Sequence, residues 1–519
     1  MISASSALHQ RHLPRPRTMA VFQIKGTQIT LHSGLYINGR WVDGTGPLLE
    51  SINPATEQLI ATVQTASKAD VDKAVAAARD TFEQRWGNNV PATSRGALLL
   101  QLAAAIENDL EELAMMESLD SGKPLEWCKG DVAGTVECLK YYAGAADKIH
   151  GQSIETNDAQ NCVTVRKEPV GVVAQIVPWN YPMLMLAWKI APALATGCSI
   201  VFKAAENTPL SAIRIAEHID NISGFPKGCF NLVTGYGHIT GQYLSEHMDI
   251  DKIAFTGSTR VGRSIAKAAA ESNLKRCTLE LGGKVKSPHL VFESANLEEA
   301  AKWACFGVVE NMGQSCTAGS RILVQESIYD KFIPLLVNAF KQVQIGDPLR
   351  KSTLMGAHVT KAHFERILGY ISKAKEGGAA VACGGVRHGD KGYFIEPTLF
   401  TDVDADNVAG REEIFGAVGC VFKFKDEADG IKMANDTPYG LAAGVHSNDA
   451  KQLRRVVRKL KAGTVWENTF VNSSIQAPFG GYKGSGWGRE LGMQGLEAYL
   501  ETKAVHSYYG EPLAWPYEL

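Results

Sequence analysis

Long stretches of the chain repeat apolar residues at helical spacing, and between them lie short apolar or alternating runs. Residues 34–64 read as strands and turns, with Asp43-Gly44 as a turn signal. Residues 67–85 then predict a helix, capped by Ser67 or Asp70. Leu98, Leu102, Ile106, Leu110 and Leu113 predict another over 93–116, and a third covers 131–149. From 170 to 281 short β-like runs such as SIVFKA, KIAFTG and KRCTLEL alternate with helical patterns. Such alternation implies right-handed βαβ crossovers and a parallel, doubly wound sheet.

A second alternating series follows, including the helical LEEAAKWACFGVVEN and the strands RILVQ and GCVFKF. The expected fold class is therefore α/β with two doubly wound parallel-sheet domains. Residues 169–202 carry Lys189 as their only charge, but Pro178, Pro182 and Pro192 break the run. Buried strands and a buried helix fit it better than a membrane span.

Composition is ordinary for a globular chain of 519 residues: 45% hydrophobic, 21% charged, net charge −2. That balance gives no reason to expect nucleic acid or an anionic membrane as partner. Ten cysteines without metal-ligand spacing predict no metal site and fit a reducing, cytoplasmic setting. Residues 1–42 hold no Asp or Glu but include Arg11, Arg15, Arg17 and Lys25, which also suits a mitochondrial presequence. Pro14 and Pro16 interrupt any amphipathic helix there, and Met19 is an alternative start.

The chemistry gathers around ENMGQSCTAGSR, residues 310–321, on a loop between a helix and RILVQ. Cys316 sits there among small residues that leave room for a substrate and for backbone N–H donors; a buried, inert thiol is the plain alternative. In LELGGK, Glu280 ends an apolar strand, where desolvation suits a general base. In PWNYP, Asn180 is held between prolines and aromatics, and its amide can donate to an oxyanion or only shape a turn. FTGSTRVG follows a strand and opens a helix, so Gly257 and the helix N-terminus suit a pyrophosphate; GYGHITG, ending at Gly241, is a weaker signal of the same kind. Lys203 and Glu206 follow a strand end, and an acidic group there accepts from ribose hydroxyls and repels a 2′-phosphate, favouring NAD over NADP.

Taken in order, PWNYP, FKAAENTP, FTGSTRVG, LELGGK, GQSCTAGSR, EEIFG and PFGGYKGSGWGRE resemble the aldehyde dehydrogenase superfamily, most closely its NAD-dependent class 1/2 members, over about residues 34–510. The resemblance implies an NAD-binding domain (34–149 and 170–281), a catalytic domain (282–484) and a small β oligomerisation arm (150–169 and 485–519), assembled as a homotetramer or homodimer. Residues 1–33 would be an extension. It implies Cys316 as nucleophile, Glu280 as base and Asn180 as oxyanion donor. Cofactor contacts fall on Ile176, Pro178, Trp179, Lys203, Glu206, Gly241, Phe255, Gly257, Ser258, Glu413 and Phe415. Lys189 matches a lysine near the active site and Glu490 a proton-relay carboxylate.

Some positions depart from that pattern. Val285 and Lys286 look inserted after the base loop, Ala417 replaces a proline, and Glu467 replaces an apolar residue where burial would be costly. These leave open a catalytically impaired relative with a structural or NAD-binding role. Glu310 and Ser473 stand where the substrate tunnel is usually aromatic, which implies a more polar tunnel. Glu310 either favours cationic aldehydes such as aminoaldehydes, or caps a helix or faces solvent.

Overall fold

The computed structural model describes residues 19–24, 26–282, 287–404, 406–511 and 517. The Val285–Lys286 insertion and the basic segment before Met19 lie outside these residues.

The first sheet has eight strands, and five parallel ones form its centre in the order Arg276–Leu281, Lys252–Gly257, Val172–Ile176, Ser199–Lys203, Phe230–Leu232, with short antiparallel strands at both edges. The chain starts in the centre, runs out to one side, then returns to the other. This reversal leaves a crevice at the C-terminal ends of Val172–Ile176 and Lys252–Gly257, where such sheets bind ligands. Both Val172–Ile176 and Ser199–Lys203 are buried along their whole length, as a sheet covered on both faces requires.

The second sheet runs Ala380–Cys383, Thr398–Thr401, Val418–Phe424, Arg321–Gln325, Pro288–Val291, Ala442–His446, Thr464–Glu467, all parallel except the first. A third, antiparallel sheet joins Leu500–Tyr508, Asn161–Pro169 and Gln152–Glu155.

Ser67 caps the helix Lys68–Gln84 in a reciprocal box with Asp70, so both cap candidates act together. The single helix expected over 93–116 is two, Ala92–Asn108 and Leu110–Ser121. Asp109 breaks it, turning its carboxylate to Arg214 and His218. The chain passes from the third sheet, at Asn161–Pro169, to the first, at Val172–Ile176, through Gly171, whose φ of 126° and contact with Asp251 leave no room for a side chain.

Two boundaries differ from expectation. The extension expected through residue 33 is already paired as a hairpin, Met19–Ile24 with Thr27–His32, and buries Phe22, Ile29 and Leu31. The arm strand begins at Leu500; Gly486–Trp487 instead pairs with Leu279 and Glu280 on the edge of the first sheet. Sequence periodicity cannot see this, because a two-residue strand has no period.

Candidate active site

A cavity of about 650 Å³ opens between the two large sheets. Of the candidate residues, Cys316, Glu280, Asn180, Pro178, Trp179, Gly257, Ser258, Glu413 and Phe415 line it. Elements far apart in sequence deliver them: the strand end at Glu280, the turn before the helix Pro182–Thr196, and the loop before Arg321–Gln325.

The Cys316 loop is held by strain. Asn311 (φ 47°), Met312 (φ 57°) and Gly313 (φ 69°) are left-handed in succession. A non-glycine residue in that region costs about 1–2 kcal/mol, so the surroundings must enforce it. Met312 is fully buried, and a Cβ on Gly313 would meet the Gly416 carbonyl carbon at 2.2 Å. Asn311 Nδ2 donates to the carbonyls of Asn180 (2.8 Å) and Gln314 (3.0 Å). Asn180 Nδ2 donates to that same Gln314 carbonyl at 2.9 Å. Nucleophile loop and oxyanion candidate are thus tied together, and the second Asn180 N–H remains for the cavity.

Burial pushes the Cys316 thiol up, and the nearby Glu280 and Glu413 carboxylates push it further; its own backbone N–H, directed at the sulfur, opposes them. The resting sulfur is a thiol that needs a base. Glu280 is also raised well above the usual carboxylate range, first by burial and then by Glu490, with which it hydrogen-bonds; Lys189 opposes the rise. Thr256 Oγ1 donates to Glu280 Oε2 at 3.1 Å and receives Lys189 Nζ at 2.7 Å, while Lys189 also ion-pairs with Glu490. The remaining oxygens, Glu280 Oε1 and Glu490 Oε2, are buried without another donor, as fits a protonated Glu280 carboxyl donating to Glu490.

At the other end of the cavity Ser258 caps the helix Thr259–Glu271, and Gly257 sits so close over the Phe255 ring (2.5 Å from its Cβ position) that no side chain fits. Phe255 therefore supports the turn from the core rather than lining the cavity. Ile176, Lys203, Glu206 and Gly241 also lie beside the cavity, not in its wall. Lys203 is buried and pairs with the half-exposed Glu206 at 3.5 Å; Gly241 faces Lys203 and Ile176 with nothing closer than 3.9 Å. This leaves an acidic acceptor, a helix N-terminus and a glycine-lined floor, a donor set that fits a dinucleotide.

Sequence reasoning missed His363 and Arg366, which line the cavity one helical turn apart. His363 Nε2 is 2.8 Å from the Phe415 carbonyl, its ring packs edge-on to Trp179, and burial lowers its pKa to about 3, so it holds Phe415 (φ 60°) as a neutral donor. Arg366 donates to the Glu413 carbonyl at 3.2 Å. Nothing in their helix's pattern separates them from surface residues.

Of the departures, Glu467 is exposed and costs nothing. Glu310 ends the helix Leu297–Val309, its backbone N–H donating to the Phe306 carbonyl, while its side chain lines the cavity and accepts from Tyr181. Ser473 lines it too.

The sequence profile of the aldehyde dehydrogenase family matches residues 41–505. The chain belongs to the aldehyde dehydrogenase family. It is 52% identical over 481 residues to an aldehyde dehydrogenase of Aspergillus niger, covering 92% of this chain and 96% of that one. It is 47% identical to aldehyde dehydrogenase 1A1 of Mus musculus, covering 91% and 94%. Among solved structures, a betaine aldehyde dehydrogenase of Staphylococcus aureus in complex with NAD+ superposes with a TM-score of 0.91 at 41% identity, covering 94% of this chain and 100% of that one. An aldehyde dehydrogenase of Bacillus cereus reaches 0.90 at 45% identity, covering 92% and 97%. The α/β fold with parallel-sheet domains expected from the alternating pattern is the fold of this family. Among the described residues no helix is long and apolar enough to cross a membrane.

Proposed function

We propose that this chain oxidises an aldehyde to the carboxylic acid with NAD, through a covalent cysteine adduct. The observation that carries this is the convergence of Cys316, Asn180 and Glu280 on one cavity whose far end reaches Gly257, Ser258, Glu413 and Phe415. Cys316 Sγ passes its proton by cavity water to solvent and adds to the aldehyde carbon, because that carbon is a poor hydride donor until a nucleophile has added. Asn180 Nδ2–H and the Cys316 N–H donate to the oxygen as charge develops on it. Glu413 and Phe415, with Pro178 and Trp179, would hold the nicotinamide end of NAD, and Lys203, Glu206 and Ser258 the remainder. Bound there, NAD supplies the hydride acceptor. Glu280 then takes a proton from the water that attacks the thioester, the C–S bond breaks, and the acid leaves.

Glu310 supports a finer reading, a preference for polar or cationic aldehydes. Asp131 lines the same end of the cavity. Burial raises Glu310 to about 7, with Tyr181 and Lys123 opposing the rise. A cationic group on the substrate would favour its ionised form. The three-stranded sheet, with both edges unpaired among the described residues and Ile154, Val505 and Tyr508 exposed, supports assembly as a homodimer or homotetramer. All ten cysteines are free thiols, which suits a reducing compartment, cytoplasmic or mitochondrial.

The test is NADH formation by absorbance, with NAD or NADP and a panel of neutral and cationic aldehydes. Turnover with NAD that disappears in Cys316→Ala is expected. NAD binding without turnover of any aldehyde would return the chain to the impaired-relative reading.

A further inference from the structure

A second buried amine lies behind the Glu280–Glu490 pair. Lys252 is 1% exposed at the start of the strand Lys252–Gly257, and alternation turns Lys252, Ala254 and Thr256 to the same face. That face packs under the helix Pro182–Thr196, in the layer that holds Lys189. Lys252 Nζ donates to Thr278 Oγ1 at 2.9 Å and stands 5.1 Å from the centre of the Tyr499 ring. Among the described residues no carboxylate pairs with it. An ammonium buried without a counter-charge is costly, and burial lowers the Lys252 pKa to about 7; Cys277, Cys198 and Glu490 oppose the fall and Lys189 adds to it.

Gln175 and Tyr499 connect this amine to the catalytic pair. Gln175 Nε2 donates to the Lys189 carbonyl (2.7 Å) and to the Tyr499 hydroxyl (3.4 Å). Gln175 Oε1 is buried with no protein donor, and buried acceptors of this kind are served by ordered water. After burial, the largest influence on Tyr499 is the Glu490 charge. A polar seam therefore runs from Glu280 through Glu490 and Tyr499 to Lys252, whose register partner Arg276 is exposed at the bottom of the sheet.

We propose that Lys252 is a station on the path by which the proton captured at Glu280 leaves the active site during thioester hydrolysis. The inference rests on the thioester reading above. Water's oxygen bonds the acyl carbon, the C–S bond breaks, and one water proton passes to Glu280 and then to Glu490. From there it crosses by water held at Gln175 to the neutral Lys252 amine, which releases it to solvent before the next turnover. Lys252 acts through Glu490 and touches neither substrate nor cofactor, so it is a positioning residue for the proton.

Lys252→Met removes the amine without leaving a buried charge, and Lys252→Arg keeps a charge that does not titrate near neutrality. The NADH burst and the later hydrolysis of the acyl-enzyme, followed by rapid quench in H2O and D2O across neutral pH, separate the steps. The expected result is an unchanged burst amplitude, hydrolysis about tenfold slower in both variants, and a larger solvent isotope effect. Thr278→Val, which removes only the Lys252 acceptor, should shift the pH limb of hydrolysis in a chain that keeps its amine. Unchanged hydrolysis and pH limb in Lys252→Met overturn the path, as does full activity in Lys252→Arg, since charge alone would then suffice. Absence of an acyl group on Cys316 in the acid-quenched, proteolysed unaltered protein removes the thioester reading as well, which distinguishes the two failures.

Discussion

The Tyr181 hydroxyl donates to Glu310, 2.7 Å from one carboxylate oxygen and 2.6 Å from the other. Lys123 stands 4.1 Å from the centre of the Tyr181 ring and ion-pairs with Asp131. The acidic wall of the cavity is thus oriented rather than loose. Glu310→Gln should lower the ratio of kcat/KM for a cationic over a neutral aldehyde by about tenfold, the scale of one hydrogen bond to a charged group. In the unaltered chain that ratio should climb as pH rises through about 7, where Glu310 ionises. A ranking that is the same in both proteins at every pH would remove Glu310 from substrate selection.

Glu280 must be ionised to take a proton, and its pKa is displaced upward. Turnover limited by hydrolysis should therefore increase with pH, with a midpoint above the ordinary carboxylate range. Glu280→Gln should slow hydrolysis by about 10²–10⁴-fold and erase that limb, while the NADH burst survives. Loss of burst and hydrolysis together would mean that Glu280 serves the first step instead.

Asn180→Ala removes a donor to the oxyanion and also the bond to the Gln314 carbonyl. A fall in kcat of about 10²–10³ is expected. Asn311→Ala separates the two effects, since it loosens the same loop from a residue outside the cavity wall. Equal losses in the two variants would assign Asn180 to loop positioning alone.

Glu206, half-exposed beside Lys203, should exclude a 2′-phosphate. Glu206→Gln is expected to lower the KM for NADP with little change in kcat for NAD. An NADP KM that stays the same in the variant would place the discrimination elsewhere.

His289 stacks on His446 at 4.6 Å and on Phe470 at 4.8 Å, with both of its ring nitrogens buried and without a partner. Burial lowers His446 to about 4 and His289 well below its ordinary value. The unfolded chain takes up these protons near pH 6.5 and the fold does not, so their stability is whole above about 6.5 and is lost as pH falls toward about 4. For His446 alone, the displacement from 6.5 to about 4 is worth about 3 kcal/mol. His289→Leu should therefore show a smaller drop in Tm between pH 7 and pH 5 than the unaltered chain, read by calorimetry; an equal drop would locate acid sensitivity elsewhere.

Local chemistry made much of this protein legible in one dimension. Apolar spacing and caps such as Ser67 and Ser258 act within a few residues, so the helices and the parallel strands followed from the chain itself. The nucleophile, base and oxyanion candidates were also visible, because Cys316, Glu280 and Asn180 each sit in a short segment whose neighbours set its backbone. What the tertiary structure decided is who faces whom. Glu310 could be placed at the tunnel or at a helix end, and it is at both, but the partner of its carboxylate, Tyr181, is distant in sequence. Phe255 packs under the Gly257 turn, outside the cavity lining, a placement that no local pattern announces. His363, Arg366 and Lys252 carried no local signal, since their meaning comes from Phe415, Glu413 and Thr278 on other elements. Burial and charge coupling between such residues depend on distance in space, and it is they that set the protonation of the site.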